Sequence, residues 1–222
     1  MDITIDVDSQ QVSGLLQHPA DARAAYVMAH GAGAGMTHPF LARIADGLAE
    51  QGIATLRYQF PYMQAGSKRP DSPKVAHAAV RAAVAAAARL LPGLPLIAGG
   101  KSFGARMTSQ AQAESPLPGV IGLAFIGFPL HPAGKPADDR ARHLATVRIP
   151  MLFLQGTNDK LAELSLLTPV IASLGGRASL QQFEAADHSF HVPARSGRSD
   201  ADVRSELVLA LTRWIDAVAG AR

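Results

Sequence analysis

The chain has 222 residues, of which 48% are hydrophobic and 18% are charged, and its formal net charge is +3. This composition suits one domain, residues 1–222, with a substantial buried core. The basic residues are dispersed and only 5% of the residues are aromatic, so nucleic acid is excluded as a favoured partner and a small molecule is expected.

The sequence also argues against a membrane or secretory location. No run reaches the roughly 18 apolar residues that a membrane-spanning helix needs. The first residues, Met1 to Val7, have neither the basic region nor the apolar core of a signal peptide. The chain has no cysteine, which excludes disulfides, thiolate metal sites and a cysteine nucleophile. We therefore expect a cytoplasmic protein with no membrane partner.

Strand and helix patterns alternate along the chain. Two short strands, 4–7 and 11–16, predict an antiparallel hairpin at the start. Further strands are predicted at 24–29, 53–60, 96–98, 120–128, 150–155 and 179–183. Helices are predicted at 40–51, 73–91, 103–113 and 201–219, and another is predicted to begin at Thr168-Pro169.

This alternation predicts an α/β fold with a doubly wound, mostly parallel sheet, because parallel strands need crossover helices that cover both faces. Only about twenty residues separate the strand that ends near Phe128 from the one that begins near Pro150, which is too few for a lid domain. In such sheets ligands bind at the carboxyl ends of the strands. We therefore expect an open site at that edge.

A sharp turn is predicted at Ser102, between the apolar run 96–98 and the next helix. The pattern Gly100-x-Ser102-x-Gly104 is typical of a nucleophile elbow, in which a strained backbone raises a serine above the sheet and close main chain excludes neighbouring side chains. The first half of this pattern also resembles the end of a P-loop, but Pro95 stands where the first P-loop glycine belongs. An ordinary tight turn is the other alternative.

A serine hydroxyl needs a base to take its proton, and histidine, with an ordinary pKa near 6.5, suits that task at neutral pH. Among eight histidines, His188 follows the last predicted strand and precedes the last predicted helix, where the base of an α/β-hydrolase would stand. His191, three residues later, is the alternative. Surface loops or helices are predicted for His18, His38, His77 and His143.

Asp159 is the candidate acid that would orient this histidine. It lies just past an apolar strand, in a turn that contains glycine, and its carboxylate could hold the imidazole tautomer. An aspartate that merely stabilises a turn is the common alternative. The chain order Ser102, Asp159, His188 favours the catalytic role, because it is the order found in α/β-hydrolases and in neither trypsin-like nor subtilisin-like enzymes.

A glycine-rich segment that opens at His30, His-Gly-Ala-Gly-Ala-Gly, follows the third predicted strand. Its backbone could supply an oxyanion hole, with the N–H of Ala32 or Gly33 acting together with the N–H of Phe103. A dinucleotide-binding role is disfavoured because Met36 stands where the third glycine belongs. We expect His30 itself to orient this loop and not to act as a second base.

Together these features resemble the α/β-hydrolase fold proteins, and within them the KANL3/Tex30-like or dienelactone-hydrolase-like group. The resemblance covers most of the chain. It is carried by His30-Gly-Ala-Gly, Gly100-Lys-Ser-Phe-Gly-Ala-Arg106, Phe128-Pro-Leu-His-Pro132, Pro150-Met-Leu-Phe-Leu-Gln-Gly-Thr-Asn-Asp159, Ala186-Asp-His-Ser-Phe190 and Gly197-Arg-Ser199. It implies a serine hydrolase fold with Ser102, Asp159 and His188 as the catalytic triad, and it leaves the substrate open.

The predicted activity is hydrolysis of a carboxylic ester or thioester, without a metal or an organic cofactor. An open site favours small or protruding acyl groups over long buried chains. Two alternatives remain at this point: a binding or scaffold protein that retains the fold, and an acyltransferase that uses the same triad. The oligomeric state is left open.

Three further residues are candidates for substrate binding: Lys101, Arg106 and His131. Lys101 lies inside the elbow and Arg106 one helical turn beyond Ser102, so either cation could attract a negatively charged acyl group. The alternative for Arg106 is a structural ion pair with a loop carboxylate such as Asp187.

Overall fold

The computed structural model describes residues 1–221, and in them one eight-stranded sheet organises the chain. The strands are β1 (Asp2–Val7), β2 (Gln10–Gln17), β3 (Ala24–Ala29), β4 (Ile53–Tyr58), β5 (Leu96–Lys101), β6 (Val120–Ile126), β7 (Met151–Gly156) and β8 (Ala178–Phe183). The α-helices are α1 (Pro39–Glu50), α2 (Pro61–Gln64), α3 (Pro73–Leu90), α4 (Phe103–Glu114), α5 (Leu164–Leu174) and α6 (Asp200–Gly220).

The strands lie in the order β1-β2-β4-β3-β5-β6-β7-β8. β2 pairs antiparallel with β1 and with β4, whereas every pair from β4 to β8 is parallel. The predicted doubly wound, mostly parallel sheet with an antiparallel opening hairpin is therefore confirmed.

Helices cover both faces of the sheet, which explains why the central strands are buried along their whole length. Side chains along β3 alternate between two apolar clusters: Val27 packs on one side and Tyr26 on the other. The first cluster contains residues of α3, α4 and α5, and the second contains residues of α1 and α6. An apolar core therefore packs against each face of the sheet and stabilises the edge at which the strands' carboxyl ends meet.

One helix boundary was predicted wrongly. α5 begins at Leu164 and not at Thr168, so Pro169 lies inside the helix. The rule that places proline in the first helical turn reflects its missing N–H and fixed φ. Here Leu167, which precedes the proline, is fully buried, and packing of the turn that carries it outweighs the local preference.

The connection between β6 and β7 contains a 3₁₀ helix, Asp139–Thr146, that was not predicted from the sequence. Its buried apolar side chains are Ala141 and Leu144, too few to produce a helical periodicity. It packs against α4, and no lid domain is inserted within residues 1–221. None of the helices described has the length and apolar character needed to cross a membrane.

Candidate active site

Ser102 lies between β5 and α4 in a backbone conformation that side chains rarely adopt, with φ of 51° and ψ of −111°. The neighbouring glycines are required by close packing against β3. A Cβ on Gly100 would stand 2.1 Å from the carbonyl oxygen of Ala29, and one on Gly104 would stand 2.6 Å from the same atom. Strand and helix therefore meet in a turn that points the serine away from the sheet edge.

Three side chains from distant parts of the chain form a continuous hydrogen-bonded series at this edge. His188, on the loop after β8, has Nε2 2.8 Å from Ser102 Oγ and Nδ1 2.7 Å from Asp159 Oδ2. The His188 side chain is 24% exposed, and that of Asp159 is fully buried. The buried carboxylate leaves Nδ1 as the proton donor, so Nε2 faces the hydroxyl as an acceptor.

The Asp159 carboxylate is held by more than the imidazole. The backbone N–H of Leu161 donates to Oδ1 at 2.8 Å, and the Gln155 side-chain amide donates to Oδ2. Gln155 Oε1 in turn accepts from the backbone N–H of Phe128 at 3.0 Å. The sequence analysis did not identify Gln155, although a polar residue near the end of the apolar strand Met151–Gly156 is a detectable signal.

The backbone N–H groups of Phe103 and Ala32 have no hydrogen-bond partner among residues 1–221. The N–H of Gly33 is occupied, because it donates to the hydroxyl of Tyr62 at 2.9 Å. Of the two predicted donors in the glycine-rich loop, Ala32 is therefore the one available to a ligand. Ala32 also lines the pocket at Ser102, whereas Gly33 does not.

His30 orients the glycine-rich loop. Its Nε2 accepts from the backbone N–H of Phe60 at 3.1 Å, so its Nδ1 carries the proton and donates to the carbonyl oxygen of Gly31 at 2.7 Å. Burial lowers the pKa of His30 to about 4, which keeps the ring neutral at pH 7. Both ring nitrogens are engaged, as expected for a residue that positions a loop.

A pocket of about 280 Å³ opens onto the serine hydroxyl. Its walls come from the glycine-rich loop, the start of α1 and the loops that follow β7 and β8. Beside Ser102 and His188, the lining includes Ala32, Phe40, Leu41, Lys101 and Leu161. The described residues include no group of three or more His, Asp or Glu side chains placed to hold a metal ion.

Residues 22–216 match the family model described as an alpha/beta hydrolase domain. The chain belongs to this family. The match spans the sheet from the strand before the glycine-rich loop to the last helix, and therefore includes every residue of the site.

Solved structures of the same fold are similar over nearly the full chain. A dienelactone hydrolase from Anabaena variabilis is 20% identical, with a TM-score of 0.78 over 96% of this chain and 95% of that one. An α/β serine hydrolase homologue from Coxiella burnetii is 18% identical, with a TM-score of 0.76 over 95% and 97%. A serine hydrolase without a lid from Xanthomonas campestris is 21% identical, with a TM-score of 0.74 over 96% and 94%. At these identities the likeness shows the fold.

In this α/β hydrolase, Lys101 turns inward. Its ammonium donates to the carbonyl oxygen of His188 and lies 5.3 Å from the centre of the Phe190 ring. Burial lowers the pKa of Lys101 to about 8, and the carboxylates of Asp159 and Asp187 oppose that shift. The ammonium is thus committed to the histidine loop, although the side chain still lines one wall of the pocket.

The other two candidates for substrate binding do not line this pocket. His131 is buried, and its Nε2 lies 2.5 Å from the Glu163 carboxylate, so it links the segment after β6 to the start of α5. Arg106 makes no ion pair with any residue from 1 to 221. The possible pair with Asp187 is absent, and one oxygen of that carboxylate accepts the backbone N–H groups of Ser189 and His191.

A second serine–histidine contact joins Ser109 of α4 to His143 of the 3₁₀ helix, with Oγ and Nε2 2.8 Å apart. The Ser109 hydroxyl donates to the carbonyl oxygen of Arg106, so the histidine is the donor in this contact. Burial and the charge of Arg106 lower the pKa of His143 to about 4. Ser109 is fully buried, and the contact joins two helices without presenting a nucleophile.

His191, the alternative base, lies away from the serine. Its side chain is 65% exposed and its Nδ1 is 3.0 Å from the Asp200 carboxylate at the start of α6. The Asp200 carboxylate raises the pKa of His191. The geometry therefore favours His188 as the histidine that serves Ser102.

Proposed function

We propose that this α/β hydrolase cleaves carboxylic esters or thioesters through a covalent acyl-serine intermediate. The observation that carries the proposal is the unbroken contact from Ser102 Oγ through His188 to the buried Asp159 carboxylate. A base within hydrogen-bond reach of a serine, itself oriented by a third group, is the arrangement that nucleophilic catalysis requires.

In the proposed mechanism, Ser102 Oγ forms a bond to the substrate carbonyl carbon while its proton passes to His188 Nε2. The carbonyl oxygen becomes negatively charged and accepts the N–H groups of Phe103 and Ala32. Collapse of this intermediate breaks the bond to the alcohol or thiol, which takes the proton from Nε2. Water then repeats the sequence on the acyl-serine and releases the acid.

The shape of the pocket supports small or protruding acyl groups. It has a volume of about 280 Å³, near the lower end of the range for ligand sites, and no lid domain covers it within residues 1–221. Dienelactone hydrolase and esterase are among the names of the similar structures. These names are consistent with an ester substrate.

We also infer that the chain falls within the KANL3/Tex30-like group of the family. This assignment rests on Arg106 after the elbow and on the segment 128–132, Phe-Pro-Leu-His-Pro. Both features lie near the 3₁₀ helix: the Phe128 ring is 6.4 Å from that of His143, and the Arg106 carbonyl accepts the Ser109 hydroxyl that contacts the same histidine.

A fluorophosphonate labelling experiment tests the proposal. The probe should add to the Ser102 peptide, identified by mass spectrometry, and both Ser102→Ala and His188→Ala should abolish labelling. Ser109→Ala is the matched control, because Ser109 also contacts a histidine but is buried; labelling should persist in it. An unlabelled parent protein would instead favour a scaffold that has kept the hydrolase fold.

Product analysis decides between hydrolysis and acyl transfer, which use the same residues. An ester substrate should yield free acid in water. If added alcohols or amines capture most of the acyl group at low concentration, the protein is an acyltransferase.

A further inference from the structure

One edge of the sheet is free to pair with another chain. β8 is the last strand of the sheet and bonds only to β7, so its other edge pairs with no strand among residues 1–221. The segment Ala178–Phe183 carries no charged residue. The opposite edge strand, β1, carries Asp2 and Asp6, and charges of this kind prevent edge strands from pairing with other chains. The edge of β8 therefore lacks that protection.

A groove of about 570 Å³ runs beside this edge, between β8 and α6. It has about twice the volume of the pocket at Ser102. Ser179 and Gln181 line it on the strand side. On the helix side it is lined by side chains three or four residues apart, which share one face of α6: Glu206, Leu209, Ala210 and Arg213.

The groove leaves apolar surface in contact with water. Leu209 is 42% exposed and, apart from Met1, is the only exposed large apolar side chain among the described residues. Trp214, the one tryptophan of the chain, also lines the groove and is half-buried. A single exposed leucine is common on protein surfaces, but one in a groove beside a free strand edge indicates a surface that binds another chain.

The charges of the groove are arranged symmetrically about its centre. Glu206 lies three residues before Leu209, and Arg213 lies three residues after Ala210. The Glu206 carboxylate contacts Arg198 through Oε2 and has no second partner among residues 1–221. Arg213 forms no ion pair with any of those residues. A second α6 that runs antiparallel to the first would place each Glu206 opposite the other Arg213.

We propose that this surface, the free edge of β8 with the groove beside it, binds a second copy of the chain across a two-fold axis. The two β8 strands pair antiparallel, so that the two eight-stranded sheets become continuous. The two copies of α6 lie antiparallel across the junction, with Leu209 near the axis and a Glu206–Arg213 ion pair on each side. A strand from an unrelated protein could pair with β8, but its charges would match both groups only by chance.

Sedimentation velocity of the full chain over a dilution series tests the assembly. The parent protein should sediment with twice the mass of one chain and dissociate on dilution. Ser102→Ala should associate equally well, because the interface does not use the proposed nucleophile. A mass of one chain at every concentration would refute the interface, whether or not esters are cleaved. A dimer that cleaves no ester would support the interface, while the esterase proposal fails.

Charge reversal identifies the surface. Glu206→Arg and Arg213→Glu each place two like-charged contacts in the dimer, so each should weaken association on the order of 100-fold. An equimolar mixture of the two variants should restore association, because both contacts of the mixed dimer join opposite charges. The variant that carries both substitutions should associate as the parent does. If the mixture fails to associate, the copies do not meet through these charges and the proposal is wrong.

Arg89→Glu is the matched control. It changes the net charge as Arg213→Glu does, at an exposed position near the end of α3. α3 packs on the opposite face of the sheet from α6, so association should persist. Equal loss of association in the two variants would show that net charge is responsible and not a site, which would overturn the proposal.

Gln181→Lys tests the strand edge. A lysine on an edge strand prevents pairing with another chain, so this variant should stay monomeric. Association equal to that of the parent would show that β8 takes no part, and the proposal would fail. Circular dichroism and thermal unfolding check that each variant folds. Should Gln181→Lys not fold, the charge-reversal pair decides, because Glu206 and Arg213 are both exposed.

Fluorescence gives a second readout of the same surface. Emission from Trp214 should shift to shorter wavelength as the dimer forms, because association removes water from its ring. The midpoint of this shift should agree with that of the sedimentation series, and the shift should be absent in Arg213→Glu at the same concentrations. Unchanged emission while the mass doubles would place the interface elsewhere and refute the proposal.

Discussion

The ammonium of Lys101 donates a hydrogen bond to the carbonyl oxygen of His188, so the residue before the serine is attached to the loop that carries the imidazole. The rings of Phe190 and Phe40, at 5.3 and 6.0 Å, exclude water from this contact. Ser102 and His188 are separated by 86 residues, and this bond joins the side chain of the residue before the serine to the backbone of the histidine. We expect it to hold the His188 loop in position beside Ser102.

Lys101→Met should therefore impair catalysis more than folding. Loss of the bond lets the His188 loop shift, and a displacement of about 1 Å at reacting groups can reduce rates by roughly 100-fold. Ester turnover and fluorophosphonate labelling should both fall while the circular dichroism spectrum is unchanged. Normal labelling of the variant would show that the loop is held without Lys101.

The stability of the same variant should depend on pH in a defined direction. The pKa of Lys101 is about 8 in the folded protein and about 10.4 in an unfolded chain. Between these values the unfolded state binds more protons, so folding stability gains from this group as pH rises from about 8 to about 10. Urea unfolding of the parent relative to Lys101→Met should show that gain. A difference that stays constant over this pH interval would contradict the burial of the charge.

Ser102, His188 and Asp159 should behave as one unit in kinetics. Ser102→Ala should reduce kcat by on the order of 10⁶, and addition of His188→Ala should cost little more, because the residues of a triad contribute non-additively. The measurement is kcat for both single variants and the double variant on one ester. Losses that multiply would show that the two residues act separately.

His191→Ala should leave catalysis intact and change stability only on the acidic side. The Asp200 carboxylate raises the pKa of His191, so the charged pair stabilises the fold below the unfolded pKa of about 6.5 and loses that effect as pH rises through the higher folded value. Thermal unfolding should show that the variant is less stable than the parent protein at about pH 5 and equally stable at about pH 8. If His191→Ala is as inactive as His188→Ala, the assignment of His188 as the base is wrong.

Gly104→Ala should destabilise the protein through a clash with backbone. Its Cβ would stand 2.6 Å from the carbonyl oxygen of Ala29, an atom in the middle of the sheet that cannot move aside, so a loss of about 1–3 kcal/mol or more is expected. Gly176→Ala is the control, because no atom lies within 4 Å of its Cβ position; its unfolding free energy should change by less than about 1 kcal/mol. Equal unfolding midpoints for the two variants would contradict the packing described at the turn.

The local sequence pattern was sufficient to predict most of the secondary structure. Strand and helix identities, the opening hairpin and the turn at Ser102 depend on residue type and spacing within about ten residues, and the structure has them where the sequence predicts. The exceptions, such as the start of α5 at Leu164, occur where a buried leucine outweighs a proline signal.

The candidate site was predictable as a set of loops and not as a set of contacts. Chain order placed Ser102, Asp159 and His188 after three different strands, β5, β7 and β8, and parallel strands bring such loops to one edge. The strand order, with β4 between β2 and β3, required the folded sheet. The hydrogen bond from Gln155 to Asp159 also required the folded structure, because it depends on the orientation of a buried side chain.

The partners of the charged side chains show most clearly what the sequence could not predict. The sequence by itself determined that Lys101, Arg106 and His131 lie near the elbow or just after β6, but it allowed each several partners. Only the tertiary structure decided that Lys101 is bonded to the His188 loop, that His131 pairs with Glu163, and that Arg106 has no partner among residues 1–221. Secondary structure responds to neighbours along the chain, whereas the partner of a charge depends on which distant surfaces meet and how much water remains between them.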